Sequence, residues 1–220
     1  MLGLCFWLSL DSAHSADPVV QCSAALRGPR LVVSNHLSEP PVDRSKSMSE
    51  LSLMSGGHYA GATLGLTLYR PSVEARRAPR EVLLSGGQLC ASRALELRVG
   101  LEDFRVYIAK EVPEGSCLDS EVIAHEALHV SRFKQDHQRL VEALEGVARQ
   151  WTGQSAWVGP PEVLRPWLDA QPLPSFKTIA QAHVQETKRN HLLIDSDEEY
   201  RRLGASCRGA AGALHLKTRH

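Results

Sequence analysis

The 220-residue sequence has no net charge, since Lys plus Arg and Asp plus Glu each total 25. That balance leaves no long-range field to draw the chain to nucleic acid or to an anionic bilayer, and neither partner is expected. Long apolar runs are also scarce. The most apolar stretch, residues 2–10, is too short to cross a bilayer as a helix, so integral membrane association is not expected. No two cysteines have the two-to-four-residue spacing of thiolate zinc sites, and no internal repeat is visible. Residues 55–61 (Ser-Gly-Gly-His-Tyr-Ala-Gly) lack both the Gly-x-Gly-x-x-Gly frame and the Lys-Ser/Thr ending of phosphate loops, and read as a flexible connection. Arg76, Arg77 and Arg80, beside Pro71 and Pro79, read as a solvated loop.

What is present begins at residues 1–16. The apolar run lacks a preceding Lys or Arg, yet it leads into the small-residue stretch Ala13-His14-Ser15-Ala16 before Asp17, the pattern of a secretory signal peptide. Its removal takes Cys5 away and leaves Cys22, Cys90, Cys117 and Cys207, an even number that suits two disulfides in an oxidising compartment. Of the three connectivities, Cys90 to Cys117 and Cys22 to Cys207 are favoured. The protein is therefore expected to be periplasmic or secreted. A hydrophobic fraction of 43% is ordinary for a globular chain, and one domain is expected over residues 17–207, followed by a flexible tail over 208–220.

Period-two alternation marks the first half. Leu64, Leu66 and Leu68 alternate with Gly65, Thr67 and Tyr69; Leu95, Leu97 and Val99 repeat the pattern, as do Phe104, Val106 and Ile108, with a turn expected at 100–103. These segments predict an antiparallel sheet. After Pro113-Glu114-Gly115 the period becomes helical: Val122, Ile123, Leu128, Val130 and Phe133, then Leu140, Val141, Leu144 and Val147. Ser116 is placed to cap this helix, with Asp119 and Glu121 in its first turn. It is expected to reach about residue 150, whole or bent near 134–137. A loop-rich stretch with a short turn at 162–169 follows. A second helix is expected after Pro174, and a third opens at Asp195-Ser196 with Glu199 completing a capping box. The fold class is thus α+β, an antiparallel sheet followed by a long helix and further C-terminal helices.

The chemistry lies on the long helix. His125-Glu126-Ala127-Leu128-His129 is a His-Glu-x-x-His motif in a segment that is helical on independent grounds. Residues four apart on a helix are separated by about 6 Å along the axis and about 40° around it, so both imidazoles can reach one ion. Zinc suits two neutral imidazoles and one further N or O ligand, with a position left for water. Glu126 is then placed as the general base that takes the water's proton and returns it to the leaving amine.

The third ligand is open. Asp136 and His137 lie about 10 Å or more further along the same helix. Glu186 and His183, on the next helix, are geometrically easier, and Glu186-Thr187-Lys188-Arg189-Asn190 resembles the Glu-x-x-x-Asp/Asn element of gluzincins. His191 reads as a packing or surface residue. Tyr107, Tyr200 and His58 are candidates to stabilise an oxyanion.

Several elements also resemble a family of bacterial exported proteins described as zinc-dependent proteases. They are Val106-Tyr107-Ile108-Ala109, Pro113-Glu114-Gly115-Ser116-Cys117, Val122-Ile123-Ala124-His125-Glu126 through His129-Val130, and Ile194-Asp195-Ser196 running into Glu198-Glu199-Tyr200 with Cys207 behind. The likeness covers roughly residues 60–207. It implies a zincin-like fold, a periplasmic or secreted setting and protease activity; only His125, Glu126 and His129 carry over as functional residues. The expectation is a zinc peptidase acting on proteins, peptides or peptidoglycan cross-bridges in the cell envelope, with an extended substrate beside residues 104–109. The alternative is an inactive exported zincin-like binding module with a structural metal or none.

Overall fold

The alternating residues 95–108 switch parity midway: Leu95, Leu97 and Val99 point inward, and then Phe104, Val106 and Ile108 do. In the computed structural model, which describes residues 17–27, 30–56, 63–153 and 156–210, that switch is a β-bulge inside one strand and not a turn between two. The extra residue is accommodated at Asp103, whose φ of 54° lies in the left-handed region. In order along the chain the elements are α1 (Pro18–Ala25), β1 (Leu31–His36), β2 (Val42–Asp43), α2 (Met48–Met54), β3 (Gly65–Arg77), β4 (Arg80–Leu83), β5 (Leu89–Ser92) and β6 (Leu95–Ile108). Then come α3 (Cys117–Thr152), β7 (Trp157–Gly159), α4 (Pro161–Ala170), α5 (Phe176–Ile194), α6 (Asp197–Ala205) and a 3-10 turn at Ser206–Gly209. Strands dominate the first half and helices the second, an α+β arrangement. No helix among the described residues is long and apolar enough to cross a membrane. The expected signal peptide at 1–16, most of the connection at 55–61 including His58, and the tail from 211 lie outside the described residues.

The main sheet is mixed, where the sequence predicts an antiparallel one. β6 is its spine: β3 pairs with it antiparallel over nearly its whole length, while β1 and β2 pair with its other side in parallel. Within residues 104–109, expected to lie beside an extended substrate, Val106 and Tyr107 are paired on both sides, with β3 and with β2. Among the described residues β3 pairs only with β6, so β3 is the outer strand beside the long helix. A second, antiparallel sheet has the order β4-β5-β7. The arginines 76, 77 and 80 are not a solvated loop. Arg76 bonds Glu96 across the β3–β6 pair, Arg77 donates to the carbonyls of Asp169 and Gln171 at the end of α4, and Arg80 opens β4.

α3 is one unbroken helix across the inward face of β6. Its two ends are apolar anchors. Leu118 and Val122 pack on Val106 and Ile108 with Met48 and Leu51 of α2, while Leu140, Val141, Leu144 and Ala148 pack on Leu95, Leu97 and Val99 with Phe176 of α5. Each fully buried leucine contributes about 1.5–3 kcal/mol, so both ends are firmly seated. The middle of the helix buries His125, Glu126, His129, Asp136 and His137 instead, while Ile123 and Leu128, assigned to the apolar face by periodicity, are exposed. Burying five polar side chains between two apolar anchors demands partners for each.

The disulfides are Cys22–Cys90 and Cys117–Cys207, not the pairs favoured from sequence. α1 packs Cys22 and Leu26 against the second sheet at Cys90, within a small apolar cluster. The chain after α6 returns to the first residue of α3, where the Cα atoms of Cys117 and Cys207 are 5.7 Å apart.

Candidate metal centre

Local sequence sets the register of α3. Ser116 accepts the N–H of Asp119 as N-cap, and the Asp119 carboxylate accepts the N–H of Gly115, whose φ of 72° suits glycine. Arg44 bonds the same carboxylate and, more than the Gly115 N–H, holds it below the usual aspartate range despite its burial. From that start, His125 and His129 fall on one stripe of the helix, beneath the corner where α5 gives way to α6.

At that corner stands Asp195. Its Oδ1 lies 3.2 Å from Nε2 of His125 and 3.1 Å from Nε2 of His129, and the two Nε2 atoms are 3.2 Å apart. All three side chains are largely buried. Four ligands placed tetrahedrally at about 2.0–2.1 Å from one ion are separated from each other by roughly 3.3–3.4 Å. The observed triangle is thus close to one face of such a site, and among the described residues these three form a group able to hold a metal ion.

The far side of each ring is also engaged. Nδ1 of His125 is 3.2 Å from Oε1 of Glu199, and Nδ1 of His129 is 2.7 Å from Nδ1 of His191. Glu199 is held by Arg202, which lowers its pKa and keeps it an acceptor. Burial alone would push the His125 imidazole down, but Asp195, Glu126 and Glu199 together raise it. Without a cation, a ring with a carboxylate oxygen at each nitrogen satisfies both only as an imidazolium. With a cation at Nε2, a neutral ring donating Nδ1–H to Glu199 does so.

Glu126, next to His125, lies against the sheet and within electrostatic reach of both histidines and Asp195. It is 4% exposed, and its Oε2 accepts a 2.7 Å hydrogen bond from the Thr67 hydroxyl on β3. Burial raises its pKa, while the Thr67 bond and the two histidines work against the rise. Gly65, two residues before Thr67, passes so close that an added Cβ would sit 2.4 Å from Oε1 of Glu126 and 2.7 Å from Cγ1 of Val122.

Glu186 and His183, the candidates for the open third ligand, are not in the group formed by His125, His129 and Asp195. Glu186 is exposed on α5, and His183 lies two turns before His191, beside His137. Asp136 pairs with Arg132 and Arg139, and His137 bonds Asn35 on β1. The carboxylates beside His125 are those of Asp195 and Glu199, four residues apart, and not a pair drawn from Glu186–Asn190. Sequence reasoning explained Asp195 as a helix start. Ser196 is the N-cap, and the Asp195 side chain faces the histidines. Glu199 shares only half of the expected capping box: its N–H is accepted by Ser196, while its carboxylate turns to His125 and Arg202. A signal was present in Ile194-Asp195-Ser196, one of the elements of the family resemblance.

Of the oxyanion candidates, Tyr200 has its ring 6.4 Å from that of His125. Tyr107 is half-buried and packs at the margin of the apolar cluster of Val106, Ile108, Leu118 and Val122. An open groove of about 400 Å³ between Leu128 and Arg132 of α3 and Leu193, Ile194 and Ser196 at the corner reaches Glu199. It brings solvent to the outer side of the cluster. No family model, curated protein or solved structure matches the chain.

Proposed function

We propose that the chain is an exported zinc-dependent hydrolase of peptide bonds, with His125, His129 and Asp195 as protein ligands and Glu126 as general base. The observation that carries this reading is the triangle of two imidazole nitrogens and one carboxylate oxygen, backed by Glu199 and His191 at the outer nitrogens. Two imidazoles and a carboxylate are a donor set that suits zinc and leaves a position open. Two disulfides fit an exported protein.

Zinc bound there would supply a Lewis acid to a substrate carbonyl and raise the acidity of a water. The remaining work falls to the chain's own groups. Thr67 occupies Oε2 of Glu126, so Oε1 takes the water's proton as the C–O bond forms, and hands it to the amine nitrogen as the C–N bond breaks. Burial keeps that carboxyl's proton affinity above that of a surface glutamate, which suits both halves of the transfer. β3 carries Thr67 and Gly65 beside the base and has an unpaired edge among the described residues, so an extended peptide adding to β3 would pass the base. Proteins, peptides and peptidoglycan cross-bridges all present such a backbone.

The test combines metal content with turnover. One zinc per chain is expected in wild type and in Glu126→Gln, and none in His129→Ala. Hydrolysis of a labelled unfolded protein should fall by about 10²-fold or more in Glu126→Gln. Equal rates in both proteins would leave an inactive binding module with a structural metal.

A further inference from the structure

We infer that His191 is a positioning residue for the metal ligand His129, fixing its tautomer and ring plane through a neutral nitrogen where His125 has a carboxylate. This rests on the metal reading of the site. Two imidazole nitrogens 2.7 Å apart share one proton between them. A His129 ring that gives its Nε2 lone pair to an ion keeps its proton on Nδ1, so His191 accepts at Nδ1 and carries its own proton on Nε2.

The setting of His191 is built for that one contact. Its ring stacks on Phe133 at 3.7 Å between centroids and lies nearly parallel to His129, with 11° between the planes. Its Nε2 is buried and has no hydrogen-bond partner among the described residues. An unmet buried donor is destabilising, so the ring is not oriented for Nε2; the orientation serves Nδ1. α5 presents this ring one turn after the fully buried Thr187, so the helix is pinned where His191 must stand. The two ligands are therefore unlike. His125 donates to an anion, whereas His129 donates to a neutral ring and stays the weaker electron donor to the ion.

The experiment measures zinc affinity by competition with a chelator, and the visible spectrum of the cobalt-substituted protein, for wild type, His191→Asn, His191→Phe, His191→Ala and, as a control on the same helix, His183→Ala. Asn places its Oδ1 where Nδ1 was and should bind zinc within about threefold of wild type. Phe keeps the stack on Phe133 but has no acceptor, and should bind about 10–100-fold more weakly with an altered cobalt spectrum. His183→Ala should match wild type. Wild-type affinity and spectrum in His191→Phe would overturn the inference and leave the metal reading standing. No zinc in wild type would overturn both. If His191→Phe fails to fold by circular dichroism, the decision passes to Asn against Ala: a strong Asn and a weak Ala support the inference, and equal weakness overturns it.

Discussion

Glu126 on α3 and Gly65 on β3 approach so closely that a single methyl group on Gly65 would overlap the Glu126 carboxylate, at 2.4 Å from Oε1. The glycine is needed for what lies beside it, since its backbone has no unusual φ. Gly65→Ala should displace the carboxylate and loosen its bond to Thr67. Overpacking of this kind costs about 1–3 kcal/mol, and misplacing a reacting group by about 1 Å costs about 100-fold in rate. Zinc content should stay at the wild-type level. Thermal melts, elemental analysis and peptide hydrolysis on the same preparation check the three parts; unchanged turnover would remove Glu126 from the chemistry.

Asp195 should matter as much to the ion as either histidine. Asp195→Ala is expected to weaken zinc binding by more than about 100-fold, beyond what loss of an outer partner does, while Glu186→Gln leaves it unchanged. Binding should also appear as stability, about 2.7 kcal/mol when free zinc is 100 times the Kd. Adding a chelator should therefore lower the melting temperature of wild type and leave that of Asp195→Ala where it was. Equal chelator sensitivity in the two proteins would put the third ligand elsewhere.

Asp119 makes a prediction about pH that is independent of the metal. Its pKa in the folded protein is below the ordinary 3.8, chiefly through Arg44 and then the Gly115 N–H, acting against burial. A carboxyl depressed on folding adds stability that is fully present above its unfolded pKa and is lost as pH falls through the folded one. Asp119→Asn should thus destabilise by about 1–3 kcal/mol at pH 7, with the gap to wild type closing below about pH 4. Urea titrations at pH 7, 5 and 3 measure it. A gap that stays constant across the three would mean that the charge at this position contributes nothing.

The helix and its motif were legible because both are local. Spacing four apart puts His125 and His129 on one stripe whatever the rest of the chain does, and Ser116 announces the start. The parity switch between Val99 and Phe104 was also visible, but a turn and a bulge leave the same apolar pattern, and only the long partner strand β3 distinguishes them. Asp195 was hidden by a second meaning: an Asp before a Ser at a helix start explains itself, and nothing local says that its carboxylate turns 66 residues back toward His129. The cysteine pairing failed for the same reason, since it depends on where α6 returns.

α6 buries none of its side chains, yet it carries Glu199 and follows directly on Asp195. What ties its far end to α3 is the bond between Cys117 and Cys207, 90 residues apart, together with the exposed pair of Arg202 and Glu121. The two histidines and the carboxylate of Glu199 therefore depend on different parts of the chain for their places: the histidines on the apolar anchoring of α3, Glu199 on a covalent link near the other end of its own helix.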